Sequence, residues 1–535
     1  LIIHPTIDAA QRGGVWTKTP KTVMAVNESD GKILWRHELS WIAPVTLTVG
    51  DKKVYLCTGP QIISFDCRSG KELWKSQKLP WRDKKMPTYF APTLVAARKS
   101  GLYAGGENWR EHAGSGGLMT CLDSATGKTK WQKPHLPSGY QSPQDIFVIG
   151  DRVWCGSLNS KPGEFDKRYP EVSPSTGEFI SYNLETGEPE KTIPRGADCY
   201  WFHHRCHRAK ATVNFFLTSR TGIEMIDIDS GKWSLHHWAR GACAYGIMPA
   251  NGLIYGPPHP CACYPEAKLS GFNALAGPRT ASVKLLKAAD RLMKGPAFGA
   301  VDAKAAFPSD WPTFRQGAAR NGSIAAAVDT NLKVKWSIPI GGKLSQPVVA
   351  GGKLFVAAVD AHTVYALDQA SGKIAWQYIA GGRVDSPPTY YKGSVIFGSA
   401  DGYVYCLRAL DGVLAWRFAA APYDQRLMVW EQLESVWPVH GSVLVRDDVA
   451  YVIAGRSMFL DGGLTLYRLH PATGAILSQT QMDENDPHTG KDLHTHGKML
   501  DMPVASTAIL SSEGEYPFMR SQPFDLNGHR QRVAH

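Results

Sequence analysis

The sequence predicts an all-β protein, a β-propeller of four-stranded blades. Three observations carry the prediction. A tryptophan-terminated motif recurs along the chain. Successive tryptophans are one blade apart. Glycine and proline, 52 and 35 of 535 residues, keep regular elements short.

The motif is clearest in "VMAVNESDGKILW" (23–35), "IISFDCRSGKELW" (62–74), "LMTCLDSATGKTKW" (118–131), "TVYALDQASGKIAW" (363–376) and "YVYCLRALDGVLAW" (403–416). Weaker copies are "FISYNLETGEPEK" (179–191), "GIEMIDIDSGKWSLHHW" (222–238) and "LTLYRLHPATGAIL" (464–477). Each reads as a short alternating strand, a turn and a second strand. Asp or Asn with Gly makes the turn, because Gly accepts positive φ. The terminal Trp can stack on the next unit's turn and pin neighbours together. Trp35 to Trp74 is 39 residues and Trp376 to Trp416 is 40, the length of one four-stranded blade. Segments such as "PVVAGGKLFVAAVD" (347–360) supply the strands ahead of the motif.

Composition narrows the function classes. Apolar residues make up 43% and charged residues 20%, as in a globular protein. No apolar run approaches the length needed to span a bilayer. The net charge of +11 is spread along the chain, which suits a modest positive field and an acidic partner such as a polyanionic glycan. No nucleic-acid-binding pattern is present, so no nucleic acid partner is expected. The chain begins at Leu1 with no basic stretch or apolar core ahead of the repeats. No signal peptide is visible, and a processed chain or a piece of a longer one is expected.

The repeat resembles the pyrroloquinoline-quinone (PQQ) type propeller repeat, A-x-[DN]-x-x-[ST]-G-x-x-x-W. That repeat is shared by quinoprotein alcohol dehydrogenases and the outer-membrane assembly lipoprotein of Gram-negative bacteria. The chain as a whole looks most like the large "PQQ-binding-like" propellers of planctomycetes. The resemblance implies a periplasmic or extracellular location. It also implies a choice between a ligand-binding protein, a quinoprotein dehydrogenase and a protein-interaction scaffold with possible protein partners. The dehydrogenases carry an adjacent Cys-Cys pair over the cofactor. This chain has only Cys261-Ala262-Cys263, so bound PQQ is not expected.

One segment departs from the repeat. "TASVKLLKAADRLMKG" (280–295) places Val283, Leu286, Ala289 and Met293 at helical spacing before Gly295-Pro296. "DWPTFRQGAARNGS" (310–323) then resembles a propeller-opening segment. The expected organisation is blades over 1–277, a helical insertion or linker over 278–308, and blades over 309–535. One ring of about eight blades is favoured over two incomplete propellers joined near 278–308.

The candidate site is the string "DCYWFHHRCHRAK" (198–210) with 241–268. Cys199, Cys206, Cys243, Cys261 and Cys263 are half of the ten cysteines, fit for disulfides, inert thiols or a metal. His203, His204 and His207 with Tyr200 or Tyr245 could move a proton. Arg205, Arg208, His259 and Lys268 could hold a carboxylate or sulfate. The expected function is binding of a carbohydrate-like or anionic ligand there, with lyase-like or oxidoreductase activity as options. His494 and His496 are a second candidate metal pair. Glu431, Glu434 and His440, beside Trp437, are a candidate polar lining if that stretch faces a channel.

Overall fold

The computed structural model describes residues 2–5, 20–43, 46–81, 92–105, 118–135, 145–156, 179–193, 207–218, 222–236, 238–242, 245–258, 266–277, 283–493 and 504–533. The named elements within them are strands and one 3-10 turn, so the fold is all-β. The strands form consecutive antiparallel sheets of the propeller-blade type, most of them four-stranded. The chain divides into two compact units. Unit 1 is Leu1–Cys263 with Ser270–Gly277 and Gly497–Leu500. Unit 2 is Tyr264–Leu269, Pro278–His496 and Asp501–His535.

In unit 1, four complete blades follow one another: Thr48–Lys75, Thr93–Pro134, Phe147–Ile193 and Lys210–His236. A three-stranded sheet, Ile2–Leu39, precedes them and another, Met248–Ala276, follows. In unit 2 the blades are Val348–Ile379, Thr389–Ala419 and Leu444–Met482, with a hairpin at Arg426–Ser435 and a three-stranded sheet at Ser511–Pro523.

The repeat motif spans strands three and four of each blade. In "FDCRSG", Asp66 Oδ1 accepts hydrogen bonds from the Arg68 and Ser69 N–H groups and the Ser69 hydroxyl. Asp123, Asp227 and Asp368 repeat the arrangement. These hydrogen bonds hold the four carboxyls below their ordinary range. A register shift just ahead of the turn marks most of these motifs, for example between Ala366 and Leu367 and between Cys406 and Leu407, while the pairing over Ile223–Ile226 keeps a constant register.

Each motif Trp lies against the turn of the next blade, as expected. Trp35, Trp74, Trp131, Trp376 and Trp416 are all buried. Their Nε1 atoms donate to the carbonyls of Cys67, Ser124, Leu184, Ala409 and Pro471 at 2.9–3.1 Å. Each accepting carbonyl lies three residues before the turn glycine, and each ring covers that glycine. A Cβ on Gly412 would stand 2.7 Å from the Trp376 ring. Trp336, outside the five, makes the same contact with Gln369 O and Gly372. In two motifs without the Trp another donor stands at its position. Lys191 Nζ reaches Ile228 O at 2.8 Å, and Ser478 Oγ reaches Asn527 O at 3.0 Å.

The helix expected over 280–293 does not form in the described part of that segment. Residues 283–287 carry no regular structure, Ala288–Asp290 is a 3-10 turn, and Leu292–Lys294 is a strand. That strand pairs with Trp416–Phe418 as a fifth strand on its blade. The edge of a blade offers unpaired backbone groups, and satisfying them outweighs the helical periodicity. Val283 and Met293, meant for an apolar helix face, are exposed. Arg291 fixes the strap: its guanidinium donates to Ala419 O, Ala420 O and the Tyr467 hydroxyl, 5.0 Å from the Phe418 and Tyr467 ring centres.

"DWPTFRQGAAR" does organise unit 2. Trp311 exchanges backbone hydrogen bonds with Val349, and Pro312 O accepts from Tyr390 N. Thr313 meets Thr389, whose hydroxyl donates to Val443 O at 2.7 Å. Arg320 reaches Leu510 O at 2.9 Å, and Ala318 O accepts from Ser512 N. One short segment thus reaches residues in or beside the first strands of four sheets of unit 2.

Candidate functional site

Most of the sequence-predicted site lies outside the described residues: Cys199, Tyr200, His203, His204, Arg205, Cys206, Cys243, His259, Cys261 and Cys263, and likewise His494 and His496. Four of its members are described. His207 is buried, and its Nδ1–H donates to Arg208 O at 3.1 Å. Burial lowers its pKa to about 4 against the pull of that carbonyl, and the Arg240 and Lys210 charges lower it further. His207 is therefore neutral at pH 7. Arg208 donates to Thr93 Oγ1 at 3.1 Å. Tyr245 stands in solvent, 83% exposed. Lys268 is buried, and its carbonyl accepts from Ser506 Oγ. Among the described residues no three His, Cys, Asp or Glu side chains are grouped to hold a metal, and the described cysteines, Cys57, Cys67, Cys121, Cys155 and Cys406, form no disulfide.

A denser polar cluster lies in unit 2, where the loops after Val348–Ile379 and before Leu444–Met482 meet. Arg383 forms an ion pair with Glu434, which is 1% exposed. Asp401, also buried, accepts from Tyr403 N and, at 2.6 Å, from the Tyr405 hydroxyl. Gly381 and Gly382 let that carboxylate approach: a Cβ on Gly381 would sit 2.4 Å from Asp401 Oδ2. Asp385 Oδ2 accepts from His440 Nδ1 at 2.5 Å, and its Oδ1 accepts from the Ser386 hydroxyl and Gly441 N. Burial alone would raise the Asp385 carboxyl. The hydrogen bond and charge of His440, with the other two donors, bring it down to about 2. An ionised Asp385 orients the imidazole and leaves Nε2 as its other polar atom, an arrangement able to accept or donate one hydrogen bond.

Sequence reading singled out Glu434 and His440 and missed Arg383, Asp385, Asp401 and Tyr405. The available signal was "AGGRVDSPP" (380–388), a Gly-Gly step followed by charges immediately ahead of a first blade strand.

The cluster anchors a projecting hairpin, Arg426–Val429 paired with Gln432–Ser435. The strand Gln432–Ser435 is held from beneath. Glu434 takes Arg383, and the Gln432 amide meets His362 Nε2 at 2.7 Å and Asp360 O at 3.1 Å. The outer face is apolar and in water: Met428, Trp430 and Leu433 are 66%, 79% and 57% exposed. The two-residue turn is Trp430-Glu431, with φ of 50° and 64°. Asn-Gly is the favoured pair for such a turn, and a bulky residue in the left-handed region is strained. Glu431 is therefore at an exposed tip and not in a channel lining.

The model of the family described as outer membrane protein assembly factor BamB matches residues 9–147 and 318–510, about three-fifths of the chain. A curated relative, the outer membrane protein assembly factor BamB of Moranella endobia (strain PCIT), is 31% identical over 74 residues, 14% of this chain. The match spans about a fifth, 19%, of that relative's length. BamB from Moraxella catarrhalis is similar over 89% of this chain and 97% of its own, with 11% identity and a TM-score of 0.26. The quinohemoprotein alcohol dehydrogenase of Comamonas testosteroni is similar over 82% of this chain and 69% of its own, with 14% identity and a TM-score of 0.31. From the repeat, its blades and the extent of the family match, the chain belongs to the PQQ-type repeat family of the outer membrane protein assembly factor BamB.

Proposed function

We propose that this protein is an extracytoplasmic scaffold that docks other proteins through the hairpin Arg426–Ser435. The observation that carries the reading is the apolar outer face of Met428, Trp430 and Leu433, set in solvent on a base clamped by Arg383 and Glu434. Large exposed apolar groups on a rigid polar base are the anatomy of a binding hot spot. A Trp kept in a left-handed turn costs stability that a purely structural turn would avoid. The hairpin falls within the matched span 318–510, and the family description, outer membrane protein assembly factor, agrees with protein partners in the cell envelope. The expected carbohydrate-like or anionic ligand at 198–268 finds no support in the described residues, where His207 is buried and neutral and Tyr245 lies in solvent.

The test is site-specific photo-crosslinking in cells. A benzophenone side chain at position 430 should give discrete protein adducts, and one at Val213, an equally exposed residue of unit 1, should not. Trp430→Ala should weaken capture of the same partner at least about tenfold, the size of a hot-spot loss. Thermal stability should stay within about 0.5 kcal/mol. Adducts absent at 430, or equal at 213, would overturn the reading.

A further inference from the structure

We infer that the hairpin takes its partner by strand addition: an extended segment of a partner polypeptide pairs with the free edge of Arg426–Val429. This rests on the docking role proposed above and specifies its chemistry.

The register fixes which backbone groups are free. Val429 and Gln432 flank the two-residue turn Trp430-Glu431, so they form the hydrogen-bonded pair. Pairing then alternates along the ladder. Leu427 and Glu434 bond to each other, while Met428 opposite Leu433 and Arg426 opposite Ser435 do not. The N–H and C=O groups of Met428 and Arg426 consequently point away from the hairpin. The sheet has two strands, and the opposite strand is the one bolted to Arg383, His362 and Asp360. The open edge is therefore Arg426–Val429. Its protection is limited to its shortness and the charge of Arg426: it has no proline, no bulge and no covering strand among the described residues. By contrast, the edge of the blade Thr389–Ala419 is covered by the chain's own Leu292–Lys294.

The occupant follows from the side chains and from size. A residue opposite Met428 shares the apolar outer face with Met428 and Leu433, so it is apolar. Two positions on, in an antiparallel partner, a residue faces exposed Arg426, so it is acidic. A second copy of this chain is a poor occupant. Symmetric pairing of two four-residue strands buries far less than the roughly 1,200 Å² of a stable dimer, whereas a flexible strand captured transiently needs less.

The probe is a short fluorescent peptide of alternating valine and threonine with one glutamate placed to face Arg426, measured by anisotropy against the full chain. The peptide should bind, and N-methylation of the residue opposite Met428 should weaken it at least about tenfold, because one ladder pair is lost. Met428→Pro removes an N–H that faces solvent and leaves the hairpin ladder intact, so it should weaken binding to the same degree. Met428→Ala keeps the N–H and should cost only a few-fold. Absence of binding up to about 1 mM, equal binding of the methylated peptide, or equal losses for Met428→Ala and Met428→Pro would overturn strand addition. The methylated peptide decides even if the proline variant misfolds. A dimer in sedimentation that Met428→Pro abolishes would overturn it in favour of a second copy. Crosslinks at 430 that persist alongside any overturning result leave the docking role standing. Loss of those crosslinks removes the docking role itself.

Discussion

At the residue scale the inter-blade latch is one ring on one glycine. Gly412 has φ of 75°, and a Cβ there would meet the Trp376 ring at 2.7 Å. Gly412→Ala should therefore cost about 1–3 kcal/mol from strain and overpacking together. Trp376→Ala should cost about 3–5 kcal/mol as a cavity. In the Trp376→Ala background the collision is gone and only the backbone strain remains. The two losses should then sum to more than the double variant shows, readable from urea unfolding midpoints; strict additivity would mean the ring and the glycine are not coupled. The Trp latch was legible in the sequence because it repeats. Lys191 and Ser478 were not, since a donor aimed at a neighbouring carbonyl needs only an N–H or O–H and leaves no residue-type signature. His207 supplies a pH test. Its folded pKa, about 4, lies below the ordinary value of 6.5. The folded state thus binds fewer protons than the unfolded chain between those values, and stability should fall as pH drops from about 6.5 to about 4, by up to about 3 kcal/mol. His207→Gln should flatten that window in denaturation measured at each pH. An unchanged slope would mean the imidazole titrates normally.

At the element scale, two segments of unit 2 show where periodicity misleads. "SVKLLKAADRLM" has helical spacing, yet Leu292–Lys294 pairs with a blade edge and Arg291 spends its guanidinium on Ala419, Ala420 and Tyr467. Spacing within a segment says nothing of an unpaired strand nearby, so this outcome was not readable locally. Arg291→Ala should loosen the strap by about 2–3 kcal/mol, since its three acceptors sit beside two aromatic rings. Proteolysis near 283–294 should accelerate while the blades stay intact; unchanged cleavage would assign the strap's hold to the strand ladder alone. The hairpin gives the converse case. Its turn was not readable, because Trp430-Glu431 is the wrong chemistry for a two-residue turn. Replacing the pair by Asn-Gly should raise stability by about 1 kcal/mol and weaken partner capture together. A stabilised variant that still captures its partner fully would place the docking energy elsewhere.

At the scale of the whole molecule, the repeat decides the fold and leaves the chemistry to what interrupts it. The family match stops at 147 and resumes at 318, and the cysteine-rich stretch lies in that gap. The cysteines inside blades were legible as core. Cys57, Cys121 and Cys406 lie in buried strands, and burial raises their thiols, to about 11 for Cys121 and about 12 for Cys406. The other five, Cys199, Cys206, Cys243, Cys261 and Cys263, have no strand to sit in by pattern, and we propose that at least two of them are bridged or share a metal. Thiol titration separates the outcomes. The chain has ten cysteines, and the five described ones form no disulfide. Under denaturing, non-reducing conditions with a chelator, one bridge would leave about eight reactive thiols and two would leave about six. A full count of thiols with chelator and a lower count without it would identify a metal instead. In the native protein Cys67, the one described thiol that is not buried, should label first, and Cys57, Cys121, Cys155 and Cys406 should resist. A full count with and without chelator would end both the disulfide and the metal proposals, and the gap between the matched segments would then carry neither.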